Sequence, residues 1–135
     1  MAPKTRRFDV LRTWGFKGSD DGQFNAPVGI TVGKDDRVYV TDRDNHRVQI
    51  FDLEGRFLGK WGGFGREDGE FNLPYGIAAD GANKVYVADR KNDRVQVFDS
   101  AGRFEATIGL RSAEHDGLTE PQTIAVSTSG EAYVA

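Results

Sequence analysis

Apolar residues in this chain gather in short runs split by Gly, Asp and Asn, a spacing that predicts strands joined by tight turns. Four such strands stand in a row at Val28–Val32, Arg37–Thr41, Arg47–Phe51 and Arg56–Trp61. Another four follow at Tyr75–Ala79, Lys84–Ala88, Arg94–Phe98 and Arg103–Ile108. Val38-Tyr39-Val40 and Val48-Gln49-Ile50-Phe51 carry apolar groups on both faces, so their sheet is expected to be covered on both sides. GKDD (Gly33–Asp36) and DGAN (Asp80–Asn83) read as hairpin turns in which Gly or Asn takes positive φ and Asp bonds nearby backbone N–H groups. The turns ending at Gly55 and Gly102 do the same further along.

The two sets of four are copies. Residues 21–66 and 68–113 align without a gap at a spacing of 47, with 22 identities in 46 positions. VYVTDRDNHRVQIFDLEGRF (Val38–Phe57) returns as VYVADRKNDRVQVFDSAGRF (Val85–Phe104). A period in the forties built from four strands is that of a propeller blade, and the fold predicted is all-β, a β-propeller of four-stranded antiparallel blades. Val10–Trp14 with Gly15 matches the end of the first copy and predicts the last strand of a preceding blade. Pro121, Ile124 and Tyr133-Val134 match Pro74, Ile77 and Tyr86-Val87 and predict two strands of a following blade. The expected organisation is a charged lead-in over 1–7 and a partial propeller over 8–135, divided as 8–15, 26–62, 73–109 and 121–135. Ahead of each full blade, GSDDGQFNAP (Gly18–Pro27) and GREDGEFNLP (Gly65–Pro74) are too rich in turn formers for regular structure. Each is expected to be a long loop anchored by a buried Phe24 or Phe71.

The pattern P-x-G-I, then VYV-x-DR-x-N-x-RVQ-x-FD, then G-RF resembles the NHL repeat. The Asn-His-Leu element of that repeat reads Asn45-His46-Arg47 in the first copy and Asn92-Asp93-Arg94 in the second. The resemblance covers the chain from Phe8 onward. It implies a ring, commonly of six blades, of which this sequence would supply an incomplete ring of about two and a half blades. Similar repeats occur in tripartite-motif ubiquitin ligases, in bacterial sensor and surface proteins and in a zinc-dependent peptidyl-amidating lyase. Relatives of the lyase type place zinc-binding histidines just after the Leu-Pro that opens the first strand. The matching positions here are Val28, Tyr75 and Gln122, so no metal or other cofactor is expected.

Charge narrows the partners. A net charge of −3, from 18 Lys and Arg against 21 Asp and Glu, gives no basic field to collect a polyanion, which disfavours nucleic acid. Cysteine is absent, which removes disulfides and thiolate zinc sites. No apolar run reaches the ~18–20 residues of a membrane span. The start, MAPKTRRFDV, lacks the ~7–15-residue apolar core of a secretory signal. No membrane association is expected, and the sequence as written reads as cytoplasmic.

In a four-stranded antiparallel blade, the loop entering the first strand and the link between the second and third emerge on one face. A ligand face built by Arg43, Asn45, His46, Tyr75, Arg90 and Asn92 is therefore expected to hold a protein or peptide, with no catalytic residue of its own. Structural duties compete for these positions. Asp42 and Asp89 suit turn N–H acceptors, Asn45 and Asn92 suit αL or Asx-turn geometry, and Arg47 and Arg94 suit acids of their own blade. Arg43 and Arg90 suit either bracing between blades or a carboxylate ligand. His46 reads as a lone surface imidazole, since its counterpart is Asp93 and the other histidine, His115, lies before the third copy. Trp14 and Trp61 read as blade packing; with Phe16 and Phe64 they offer an aromatic platform as the alternative.

Two other functions stay open. One is a fragment of a propeller enzyme, amidating-lyase-like or sugar- or lactone-processing, with its catalytic residues outside this chain. The second is an RNA-binding or ubiquitin-ligase substrate-recognition domain. Eleven predicted strands make two whole blades, which points to a piece of a longer propeller or to self-association through open blade edges.

Overall fold

The computed structural model describes residues 9–109 and 119–135; the lead-in over 1–7, Phe8 and His115 lie outside the described residues. In chain order the strands are β1 (Phe16–Lys17), β2 (Gln23–Phe24), β3 (Pro27–Val32), β4 (Val38–Asp42), β5 (Arg47–Phe51) and β6 (Phe57–Gly62). Then come β7 (Pro74–Ala79), β8 (Val85–Asp89), β9 (Arg94–Phe98), β10 (Phe104–Ile108), β11 (Ile124–Val126) and β12 (Ala132–Val134). β3 to β6 form one antiparallel meander, β7 to β10 another, and β11 pairs with β12. These are blades of a partial β-propeller. The ends of the eight strands predicted for the two full copies differ from those observed by at most one residue.

Four expectations need correction. Val10–Trp14 is not a strand: it runs as irregular chain, with Val10 and Leu11 exposed. A strand is stable only beside a partner that takes up its N–H and C=O groups, and no described strand lies beside this one. Trp14 nonetheless keeps its place in the repeat. Its ring lies 5.7 Å from Phe51 and against Gly55, as Trp61 lies 5.2 Å from Phe98 and against Gly102. The long loops are also less irregular than their composition implies. Gly18 N–H donates to Phe24 O and Gly65 N–H to Phe71 O, doubling each loop back into a short parallel contact, β1 with β2 and Phe64 with Phe71. Of the two anchors Phe71 is fully buried, whereas Phe24 is half-buried. In the second hairpin turn the positive φ falls on Asn83, as expected, whereas in the first it falls on Asp36 and not on Gly33.

Burial follows the double-sided pattern. β4, β5, β8 and β9 are buried along their whole length. Tyr39, Val48 and Ile50 of the first blade meet Phe71, Ile77, Val85, Val87 and Phe98 of the second. Tyr86, Val95 and Val97 of the second meet Ile124, Val126 and Val134 of the third. The outer face of the first blade has Trp14, Phe24 and Phe57 packed on its buried Val38, Val40 and Phe51, and it leaves Ile30 61% exposed where its repeat mate Ile77 is 6% exposed.

Tyr39 ties the first two blades together. Its hydroxyl lies 3.2 Å from both Asp35 Oδ2 and the Ser100 carbonyl of the next blade. The second copy bonds Tyr86 to Asp80 Oδ2, and Asp80 is the repeat mate of Gly33, so Asp35 supplies the acceptor from two residues further along. Burial, then the charge of Asp35, pushes the Tyr39 phenol from 10.0 up to about 12. A raised folded pKa means that this contribution is complete below pH 10 and is lost as pH climbs through about 12. Stability from urea melts is expected to fall by roughly 2 kcal/mol over that interval. Tyr39→Phe should remove this alkaline step; an unchanged step would assign it to other groups.

Candidate functional site

The site begins where β4 and β8 end. Each strand stops on a fully buried carboxylate, Asp42 or Asp89, and the chain makes one turn of 3₁₀ helix over Arg43–Asn45 or Arg90–Asn92. It reverses on His46 (φ 52°) or Asp93 (φ 53°) and enters the next strand. The left-handed residue is thus the one after Asn45 or Asn92. The Asn side chains are turned back instead: Asn45 Nδ2 donates to Asp42 Oδ2 and the Gly18 carbonyl, and Asn92 Nδ2 to Asp89 Oδ2 and the Gly65 carbonyl.

The motif acids and bases close a hub beneath this turn. Asp42 Oδ1 accepts the Asn25 N–H, while Oδ2 accepts from Asn45, Arg47 Nε at 2.7 Å and Gln49 Nε2. Arg47 also donates to the carbonyls of Ser19, Asp20 and Gln23, which pins the entry loop to the face. Asp89, Arg94 and Gln96 repeat the arrangement on Glu67 and Glu70. A buried ion pair is tolerated here because nearly every remaining donor finds a carbonyl.

His46 is not a free surface imidazole. It is half-buried, its Nδ1 accepts the Leu73 N–H at 3.1 Å, and Phe64 lies edge-on at 4.9 Å. Asp93 Oδ1 accepts the Glu120 N–H at 2.7 Å in the same way. Both acceptors reach 27 residues ahead to a residue of positive φ, so this position requires an acceptor, which His and Asp share. That interchange is the signal that sequence reasoning missed.

Arg43, Tyr75 and Arg90 converge at the start of β7. Arg43 Nη1 lies 3.3 Å and Arg90 Nη1 3.0 Å from the Tyr75 hydroxyl, with the two guanidiniums 5.7 and 4.8 Å from the ring centroid. Arg43 also bonds Asp44, whose hydrogen bond, with that of Tyr75, raises the guanidinium above its ordinary value and in turn lowers Asp44. Arg90 Nη2 meets Glu120 Oε2 at 3.1 Å, and Lys91 takes the other Glu120 oxygen. Lys91 first, then Arg90, holds the Glu120 carboxyl below its usual range. Glu120 was not among the residues expected on this face. Trp14 and Trp61 pack on blade aromatics, whereas Phe16 and Phe64 are exposed. Among the described residues no three His, Asp or Glu side chains gather to hold a metal, and no helix is long and apolar enough to cross a membrane.

Comparison with known proteins bears on the repeat and the fold. The NHL repeat model matches residues 24–51 and 71–98. Protein lin-41 of Caenorhabditis elegans is 50% identical over 50 residues, 37% of this chain and 4% of that protein. The E3 ubiquitin-protein ligase TRIM32 of Mus musculus is 44% identical over 45 residues, 33% of this chain and 7% of that protein. Among solved structures, Kuenenia stuttgartiensis hydrazine synthase superposes with a TM-score of 0.65 at 20% identity, covering 87% of this chain and 31% of the other. This last likeness concerns the fold alone.

Proposed function

The chain carries two NHL repeats, and from that premise we propose that it is a non-catalytic propeller scaffold that binds a protein or peptide on the face bearing the 3₁₀ turns. The observation that carries this reading is the half-exposed group of Arg43, Tyr75 and Arg90, drawn from two blades onto one rim. Asn45, His46 and Asn92 support it from beneath, since their side chains hold the turns and loops that present the three. Kinship with a ubiquitin ligase fits a partner-binding module. Selection of random peptides on the purified chain tests the proposal. Recovered binders are expected to lose at least about tenfold in affinity, near 1.4 kcal/mol, on the Arg43→Ala/Arg90→Ala variant. Binders indifferent to that change would overturn it, as would zinc or calcium co-purifying in stoichiometric amount.

A second reading is favoured by the outer face of the first blade. A cleft of about 350 Å³ there is lined by Trp14, Phe24, Val28 and Ile30. The equivalent Ile77 is buried by a neighbouring blade, so a second copy of the chain, docking blade on blade, would continue an interface already present within the molecule. Light scattering is expected to detect a concentration-dependent oligomer that Ile30→Glu dissolves. A monomer at all concentrations sinks this reading.

A further inference from the structure

We infer that the notch formed by Arg43, Tyr75 and Arg90 recognises a carboxylate of the partner, an Asp or Glu side chain or a chain terminus, in competition with the protein's own Glu120. The inference rests on the partner-binding reading above and names the chemistry of its central contact.

Hydrogen-bond valence carries the argument. A phenol oxygen has one proton and two acceptor lone pairs. In Tyr75 the N–H groups of Arg43 and Arg90 fill the acceptor role. Its own proton makes no hydrogen bond among the described residues, and the buried Arg90 Nε–H likewise has no partner. Every free polar function at the notch is therefore a donor. Arginine has no acceptor at any pH a protein sees, so the complementary ligand is one that accepts without donating, and a carboxylate does this with the planar geometry that suits guanidinium. Tyr75 holds both guanidiniums through its hydroxyl and its ring and so pre-organises them, which lowers the cost of ordering long side chains on binding.

Glu120 demonstrates the chemistry from within. Its carboxylate spans Arg90 and Lys91 from the entry of the third blade, and the repeat mate of Glu120 is Leu73, so the first two blades have no such carboxylate. It approaches Arg90 through Nη2, while Nη1 is on the Tyr75 side. A partner carboxylate entering over Tyr75 reaches both arginines but meets the field of Glu120 on Arg90 and of Asp44, already bonded to Arg43, so both internal carboxylates act as a brake on binding. A polyphosphate backbone is a poorer fit. Asp20, Asp21, Asp44, Glu67 and Asp68 stand on the loops of this face, so a string of phosphates would meet more of this repulsion than a single carboxylate does.

The test uses the full 135-residue chain and four probes: acetyl-Gly-Glu-Gly-amide, acetyl-Gly-Gln-Gly-amide, acetyl-Gly-Gly-Gly with a free C-terminus, and inorganic phosphate. Arginine Nε–H signals in ¹⁵N NMR spectra report occupancy. The Glu peptide, the free C-terminus or both should shift the Arg90 and Arg43 signals saturably, and whichever is tighter identifies the source of the carboxylate. The Gln peptide should bind at least about tenfold more weakly, Glu120→Gln should tighten carboxylate binding about threefold, and Tyr75→Phe should weaken it while leaving the amide spectrum intact. Equal binding of Glu and Gln peptides overturns the inference, as does phosphate binding more tightly than both carboxylates, or no effect of Glu120→Gln. Display-selected peptides that need Arg43 and Arg90 but carry no accessible carboxylate would sink this inference and leave the partner-binding face standing. Peptides that ignore both arginines would remove the two together.

Discussion

Asp89→Ala is expected to destabilise the protein by about 3–5 kcal/mol, a large fraction of the roughly 5–15 kcal/mol that holds a typical domain folded. The carboxylate is fully buried and collects the Asn72 N–H on Oδ1 and Asn92 Nδ2, Arg94 Nε and Gln96 Nε2 on Oδ2. Its removal strands the Arg94 charge in the interior beside two amides that have lost an acceptor. Asp89→Asn should be almost as damaging. Only a carboxylate has acceptors on both atoms, and an amide nitrogen at Oδ2 would face three donors. Urea melts followed by Trp fluorescence measure the effect. Glu54→Ala is the control: it breaks an exposed pair with Arg12 and should cost no more than about 1 kcal/mol. If Asp89→Ala melts like Glu54→Ala, the hub contributes little and the blades are held by their apolar faces.

The same hub explains what the sequence made legible. Asp42 and Asp89 were readable as N–H acceptors, and Arg47 and Arg94 as their partners, because all of these contacts close within one blade and its entry loop. The strands were readable because a 47-residue copy tests every boundary twice. What could not be read lies between blades, in the entry loops, or where the two copies fall out of step. The role of His46 depends on Leu73, the acceptor for Tyr39 on a turn two residues out of step with its copy, and the pairing of Arg43 with Arg90 on a tyrosine that the first and third copies lack. Val10–Trp14 has the composition of a strand, but strand formation is a property of a pair. The candidate face was legible as a list of side chains; which of them are spent on the fold was decided by hydrogen-bond partners 27 or more residues away.

Gly29→Ala and Gly76→Ala are expected to separate neighbouring blades, with different consequences. Neither glycine has positive φ, so the conflict is one of space. A Cβ at Gly29 would lie 2.7 Å from the Tyr75 carbonyl and 2.9 Å from Thr41 Oγ1; at Gly76 it would lie 2.7 Å from the Gln122 carbonyl and 2.9 Å from Thr123 Cα. Apart from Thr41 Oγ1, a side-chain atom of the first blade itself, these contacts are with the backbone of the next blade, which cannot rotate away as a side chain can. At the first interface the Gly29 N–H reaches Thr41 Oγ1, and that hydroxyl donates to the Tyr75 carbonyl. At the second interface Ala88 replaces the hydroxyl, and the Gly76 N–H bonds the Gln122 carbonyl directly. Gly29→Ala disturbs two complete blades and the largest core cluster, so it should cost about 2–4 kcal/mol in global stability, overpacking plus one lost hydrogen bond. Gly76→Ala acts on β11 and β12, which among the described residues rest on the second blade alone, and there release is cheaper than strain. Hydrogen exchange should therefore accelerate across Ile124–Val134 while β4, β5, β8 and β9 keep their protection. Gly63→Ala, with nothing within 4 Å of its Cβ, should leave both observables unchanged. Uniform acceleration in Gly76→Ala would mean that the third sheet folds as one unit with the other two, and that the interfaces are equally rigid.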